Sequence, residues 1–270
     1  MADDRPVARA TIVATTVVAL VGVLAIVVAN APANWLAGWL ASRTDGVVLL
    51  ADARGTVWSG SAVMAVATPR GAGEPRGEAA GLALPGRVTW TLEIERLLAP
   101  VLHLTHDGVL VQPLAVRVRD GGLVLDAGSL ALPASMLRLA GAPLNTLLPE
   151  GRCTLQWNGL RFDGAGPPVG EGTLRVGAFG LAISPVKPLG DYLVSWSSGA
   201  NGLAWQLATE QGPLQMEGGG SLVGRRAQAR IVVRIAPDTP VATVAQLNAL
   251  LDMLGRRSPT EAVIETGGRS

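Results

Sequence analysis

Arg87-Val88-Thr89-Trp90-Thr91-Leu92-Glu93-Ile94-Glu95 alternates polar and apolar side chains without a fault. Successive side chains of an extended chain point to opposite faces, so this stretch reads as a half-buried β-strand with Val88, Trp90, Leu92 and Ile94 turned inward. The rhythm returns in Leu114-Ala115-Val116-Arg117-Val118-Arg119 and, after Asp120-Gly121-Gly122, in Leu123-Val124-Leu125. A Gly-rich connection between two such runs predicts a hairpin. Further strands are expected at Thr56–Ala67, Cys153–Trp157, Thr173–Ala178, Tyr192–Trp196, Leu203–Ala208, Leu214–Glu217 and Ala227–Ile235. Turn signals separate several of them: Ser198-Gly199-Ala200-Asn201-Gly202, Glu210-Gln211-Gly212-Pro213 and Gly218-Gly219-Gly220. Many short strands, with no run between them long enough for crossover helices, predict an antiparallel β body.

Two helices are expected to interrupt the strands. Pro133–Ala140 is short and is stopped by Gly141 and Pro143. Pro240–Leu254 has Thr239 as N-cap and Gly255 as C-terminal stop. Its Val244, Leu247, Leu251 and Leu254 form one stripe, which packs on the sheet or on a partner. Pro69–Ala79, rich in Gly with Arg and Glu, reads as a mobile loop, and the polar stretch from Arg256 onward as a loose tail. Leu84-Pro85-Gly86-Arg87-Val88-Thr89-Trp90 is echoed by the segment Leu148–Trp157, each running Leu-Pro, then Gly-Arg, then an alternating stretch to Trp. The echo hints at two similar halves of one sheet, although two copies make no repeat architecture.

From Ala10 to Ala29 there is no charged residue, and Val, Ala, Leu and Ile dominate. A run of about 20 apolar residues matches the span that a ~30 Å hydrocarbon core demands of a helix. The rival reading is a cleaved signal peptide, with Ala29-Asn30-Ala31 as its small-residue site. Against it stand the length of the run, beyond the usual ~7–15 residues of a signal-peptide core, and Pro32 directly after the scissile bond. Arg5 and Arg9 precede the run and the first basic residue after it is Arg43, a bias that favours a cytoplasmic N-terminus and an exported body. Trp35 and Trp39 follow four residues apart, on one face of a continuing helix. Two readings compete for them: residence at the membrane interface, or capping of the body's core.

The 270 residues are 49% hydrophobic and only 16% charged, with a mean hydropathy of +0.36. That is too apolar for a disordered chain. A net charge of +1 provides no field that would draw nucleic acid. Gly 34 and Pro 18 suit short strands joined by tight turns. Cys153, the single cysteine, excludes an intramolecular disulfide and any multi-cysteine metal site.

The polar inventory for catalysis is thin. His103 and His106 are the only histidines. In a strand, positions three apart face opposite ways, so the pair with Asp107 does not read as a metal site. Cys153 alternates in phase with Leu155 and Trp157 and reads as a buried small hydrophobe. Ser59 lacks the flanking pattern and the strand-to-helix elbow of a hydrolase nucleophile. Neither Gly71-Ala72-Gly73 nor Gly218-Gly219-Gly220 fits a phosphate-binding fingerprint. Glu93 with Glu95, and Arg117 with Arg119, read as solvated strand faces. Trp90, Trp157, Trp196 and Trp205 fall in expected strands in phase with other apolar residues and read as core, or else as the lining of an apolar groove.

Several segments together resemble the protein N family of the bacterial type II secretion system. They are Gly55-Thr56-Val57-Trp58-Ser59-Gly60, Leu84-Pro85-Gly86 with Val88-Thr89-Trp90, and Leu132-Pro133-Ala134-Ser135-Met136-Leu137. The Leu148–Trp157 segment and Gly212-Pro213-Leu214 leading into Met216-Glu217-Gly218 complete the set; order and spacing carry the likeness. The resemblance implies a bitopic inner-membrane protein with a periplasmic domain that assists export of folded proteins across the outer membrane. It carries over no catalytic residue.

The expected fold is therefore mainly β: a single N-terminal transmembrane helix, then an antiparallel, curved β-sheet domain, sandwich or half-open barrel, with one C-terminal helix. The expected organisation is a cytoplasmic N-terminus (1–9), a transmembrane helix (10–31), an interfacial helix or linker (32–43), a periplasmic β-rich domain (44–255) and a flexible tail (256–270). The expected function is a non-enzymatic accessory or scaffold component of type II secretion in the inner membrane, binding other secretion subunits through an exposed strand edge. The alternative is a bitopic envelope protein that handles lipid in an apolar β-groove. No catalytic, cofactor-binding or metal-binding residue is assigned, nor any nucleic-acid partner; Trp35 and Trp39 are the assigned membrane-interface residues.

Overall fold

The computed structural model describes residues 22–67, 81–95, 99–140, 144–163, 168–199, 202–224, 226–253, 256–258 and 261–266. The alternating stretch after Arg87 is a strand, Val88–Glu95, and among the described residues it sits with fifteen others in chain order. They are β1 (Val48–Gly55), β2 (Ser59–Ala67), β3 (Gly81–Ala83), β4 (Val88–Glu95), β5 (Ala99–His106), β6 (Leu114–Arg119), β7 (Gly122–Leu125) and β8 (Gly128–Pro133). After these come β9 (Pro149–Phe162), β10 (Val169–Leu181), β11 (Gly190–Gly199), β12 (Gly202–Gln211), β13 (Leu214–Val223), β14 (Arg226–Ile235), β15 (Arg256–Ser258) and β16 (Glu261–Thr266). Helices are α1 (22–29), α2 (Ala33–Arg43), α3 (Leu144–Leu147) and α4 (Val241–Met253), with a 3₁₀ segment at Ala134–Ala140.

All the strands belong to one open, curved antiparallel sheet, ordered β1-β2-β4-β5-β6-β7-β9-β10-β11-β12-β13-β14-β16-β15, with β3 beside β2 and β8 beside β9. The sandwich alternative is thereby corrected: the described residues form a single sheet, whose end strands β1 and β15 each have one neighbour in that order. Mostly sequential hairpins produce this order, since antiparallel neighbours need only short turns.

The period-2 pattern becomes cross-strand rows. Leu130, Leu155, Leu174, Val194, Leu207, Gly218, Ile231 and Ile264 stand opposite one another from β8 to β16 and make one apolar row. Next to it Cys153, Val176, Tyr192 and Val233 are buried, and α4 closes over this region with Leu247 and Leu251 fully buried against Leu214 and Ala262. Each such leucine is worth about 1.5–3 kcal/mol of burial. The helix stripe thus packs on the sheet. Leu250 joins it, while Leu254 lies outside the described residues. A second, smaller core gathers Ala33 of α2 with Ala62, Val88 and Trp90, supported by Leu36, Leu50 and Leu102.

Three expectations are corrected. Gly218-Gly219-Gly220 is no turn but the middle of β13. A side chain on Gly218 would begin 2.2 Å from the Arg230 carbonyl oxygen, and one on Gly220 would begin 2.8 Å from the Trp205 ring. Close approach, not chain reversal, is what requires glycine there. The tail expected to be loose from Arg256 instead contributes β15 and β16: Glu261–Thr266 pairs with β14, and Ala262 is fully buried. Its short Ala-Val-Ile core is too brief to stand out until β14 supplies a partner. The short helix expected at Pro133–Ala140 is a 3₁₀ segment.

No helix among the described residues is long and apolar enough to cross a membrane. The expected span 10–31 lies outside them as far as residue 21, as does the expected Pro69–Ala79 loop. The remainder of the span forms α1, in which Leu24 and Ile26 are 61% and 65% exposed. The helix is interrupted at Asn30, whose side-chain amide donates to the Ile26 carbonyl, and at Pro32, which is extended.

Candidate interaction surfaces

The end of α1 meets a tight turn of the sheet. The Trp58 indole Nε1 donates to the Val28 carbonyl at 2.7 Å, and the Val57 amide donates to the Ala31 carbonyl at 2.8 Å. Pro32 and Thr56 form an isolated bridge. From the other side, the Trp90 indole donates to the Thr56 and Val57 carbonyls, each at 3.2 Å. The Gly55–Gly60 turn is therefore a strap that joins the end of α1 to the sheet. α2 follows. It buries Ala33 against the small core and leaves Trp35 and Trp39 59% and 52% exposed. The two indoles do not cap the core; Leu36 helps do so instead. The Arg43 guanidinium lies 5.8 Å from the centre of the Trp39 ring, within cation–π range.

The sequence echo has a structural counterpart. Trp90 stands opposite Gly60 and Trp157 opposite Gly128. In each pair the indole lies where a glycine side chain would begin, at 2.5 and 2.4 Å. Each indole nitrogen also donates to a carbonyl shortly before that glycine, Trp157 to Asp126 at 2.8 Å. The row extends through Gly172, Trp196 and Trp205 to Gly220. Sequence periodicity placed these tryptophans on the apolar face. Their glycine partners, far away in the chain, gave no signal of their own.

The opposite face is polar. Ser129, Gln156, Thr173, Ser195, Gln206 and Gly219 stand in register from β8 to β13. A shallow cavity of about 470 Å³ follows this row, lined by Asn158, Glu171, Thr173, Ser195, Ser197 and Gln206 among others. At its margin Arg175 grips Glu210 at 2.8 and 3.0 Å, and within the lining the uncharged Asn158 amide donates to the Glu171 carboxylate at 3.0 Å. The row itself is uncharged and hydrogen-bonding, with the Glu171 carboxylate beside it.

The residues weighed for chemistry do not converge. His103 and His106 lie on β5 facing opposite ways; His106 is buried, with Nδ1 3.0 Å from the Asp107 carbonyl, while His103 Nε2 is 3.9 Å from Glu93. Among the described residues no three His, Cys, Asp or Glu side chains gather as a metal-binding set. Cys153 is buried, and loss of hydration pushes its thiol up to about 11, far from a thiolate at neutral pH. Ser59 serves the strap turn, its amide donating to the Thr56 hydroxyl at 3.2 Å. Gly71-Ala72-Gly73 lies outside the described residues.

The fold is one open antiparallel sheet with an apolar face under α4 and a polar face opposite. The chain belongs to the type II secretion system protein N family, whose model matches residues 47–263, from the start of β1 into β16. It is thus a component of the type II secretion machinery, a system whose parts act on one another in the cell envelope. Comparison with curated proteins and with solved structures yields no match.

Proposed function

We propose that the protein is a non-enzymatic accessory or scaffold of type II secretion, held in the inner membrane with its N-terminus cytoplasmic and its sheet in the periplasm. It assists export of folded proteins across the outer membrane by binding other secretion subunits. The observation that carries this reading is the family match over almost the entire sheet. The uncharged run before Asn30 supports the anchor, and Arg5 and Arg9 support the orientation.

The sheet's faces suit partner binding better than its edges. β1 is irregular between Ala51 and Arg54, with Asp52 left-handed and charged groups at Asp52 and Arg54. At the other end β15 is only Arg256-Arg257-Ser258. Bulges, charge and brevity are the usual guards against strand addition, so the edge-pairing mode expected from sequence gives way to docking on the neutral row from Ser129 to Gln206.

Crosslinking of the full chain in intact envelopes tests the proposal. Capture of secretion subunits at positions on the Gln156–Gln206 face supports it. Capture of lipid alone would replace it with the lipid-handling alternative, for which the continuous apolar row from Leu130 to Ile264 is the favourable observation.

A further inference from the structure

The end of α1, α2 and the strap carry an apolar and basic surface that the sheet does not use. Leu24 and Ile26 are exposed at the end of an uncharged run that starts at Ala10. Beyond the break, α2 turns Ala33 and Leu36 to the sheet and Trp35 and Trp39 away from it. Arg43, exposed in the last turn, stands beside Trp39. Aliphatic side chains, then indoles, then a guanidinium is the order of a bilayer read from hydrocarbon to phosphate: indoles settle at the boundary, and a long basic side chain reaches outward from it. A protein partner on this surface would have no need of that order, nor of an apolar run continuing into the chain before it.

We propose that α2 lies in the headgroup layer of an anionic phospholipid bilayer, with Trp35 and Trp39 at the acyl boundary and Arg43 on lipid phosphate. The Trp58–Val28 bond and the Val57–Ala31 bond then fix the sheet to the end of the buried helix. The small core around Trp90 sits next to the membrane, and α4 lies at the far end of the strand order. Two short hydrogen bonds and a bridge leave little freedom for the sheet to swing, so lipid contact sets its orientation. This deepens the envelope reading above and rests on it for the compartment alone.

The test uses full-length protein reconstituted in phosphatidylethanolamine–phosphatidylglycerol vesicles that carry acyl chains brominated near the headgroup. Of the seven tryptophans, those at the boundary are quenched. The wild type should show shallow quenching that falls markedly in the Trp35→Phe/Trp39→Phe variant, leaving the share of Trp58 beside Val28, while Trp196→Phe leaves it unchanged. Arg43→Gln should weaken the quenching in anionic vesicles and bring it to the level seen in phosphatidylcholine. Equal quenching of wild type and double variant would overturn the proposal. So would protection of Trp35 and Trp39 that rises with protein concentration, which would make the surface a contact between copies. Either failure leaves capture of secretion subunits on the Gln156–Gln206 face unaffected, so the two readings fall separately.

Discussion

Trp205 and Gly220 face each other across β12 and β13, and the indole fills the space in which a side chain on Gly220 would start, 2.8 Å from its ring carbons. A glycine inside a strand ordinarily costs about 0.5–1 kcal/mol relative to alanine, so replacing it should help wherever there is room. Here there is none. Gly220→Ala is expected to destabilise by about 1–3 kcal/mol through overpacking. Gly199→Ala, where nothing lies within 4 Å of the added carbon, should be neutral or slightly stabilising. Thermal unfolding of the two variants side by side checks the sign.

Trp157 combines the same packing on Gly128 with an indole donor to the Asp126 carbonyl at 2.8 Å. Trp157→Phe keeps an aromatic ring but strands that carbonyl, a loss of about 1–3 kcal/mol. Trp157→Ala adds the cavity and should cost about 3–5 kcal/mol. Denaturant unfolding should rank the wild type above Phe and Phe above Ala. Equal stability of Phe and Ala would mean that the ring contributes nothing by packing.

These glycines explain what was legible in the sequence and what was not. β4 could be read directly because nine residues alternate without a break, and that pattern is local; Val88 and Trp90 are buried as read, whereas Ile94, expected inward, is exposed. Gly218-Gly219-Gly220 was misread because glycine also marks turns, and the reason for it here, Trp205 above and Arg230 across, lies in other strands. The tail was misread for a like reason: Ala262-Val263-Ile264 is a strand only because β14 pairs with it. At the candidate surfaces, Trp35 and Trp39 were visible as a spacing. The uncharged row from Ser129 to Gln206 was not, since polar side chains in strands carry no signal until four pairings align them.

Cys153 should be silent toward thiol reagents in the native protein. It is 3% exposed and its thiol is pushed up to about 11 by burial. Disulfide-reagent labelling at pH 8 should be slow without denaturant and fast in it. Because the folded thiol holds its proton more tightly than the unfolded one, which ionises near ~8.5, this group favours folding below that pH. The contribution fades as pH rises toward 11. Cys153→Ala should remove this alkaline sensitivity.

Asp52 titrates in the opposite sense. Arg87, through its side-chain hydrogen bond, and then Arg54 hold the Asp52 carboxyl below its ordinary value. A depressed carboxyl favours the folded state above the unfolded pKa of ~3.9, and the benefit disappears as pH falls below it. The pair is exposed, so the effect is modest. Asp52→Asn, which tolerates the left-handed backbone at this position (φ 49°), should flatten the acid limb of a plot of melting temperature against pH. At lower pH the two proteins should converge.

Whether this sheet serves protein export is answered by deleting the protein in its host. Folded exoproteins should then accumulate in the periplasm, and the full chain should restore their secretion. Unchanged secretion, with an altered envelope lipid profile instead, would contradict a role in export.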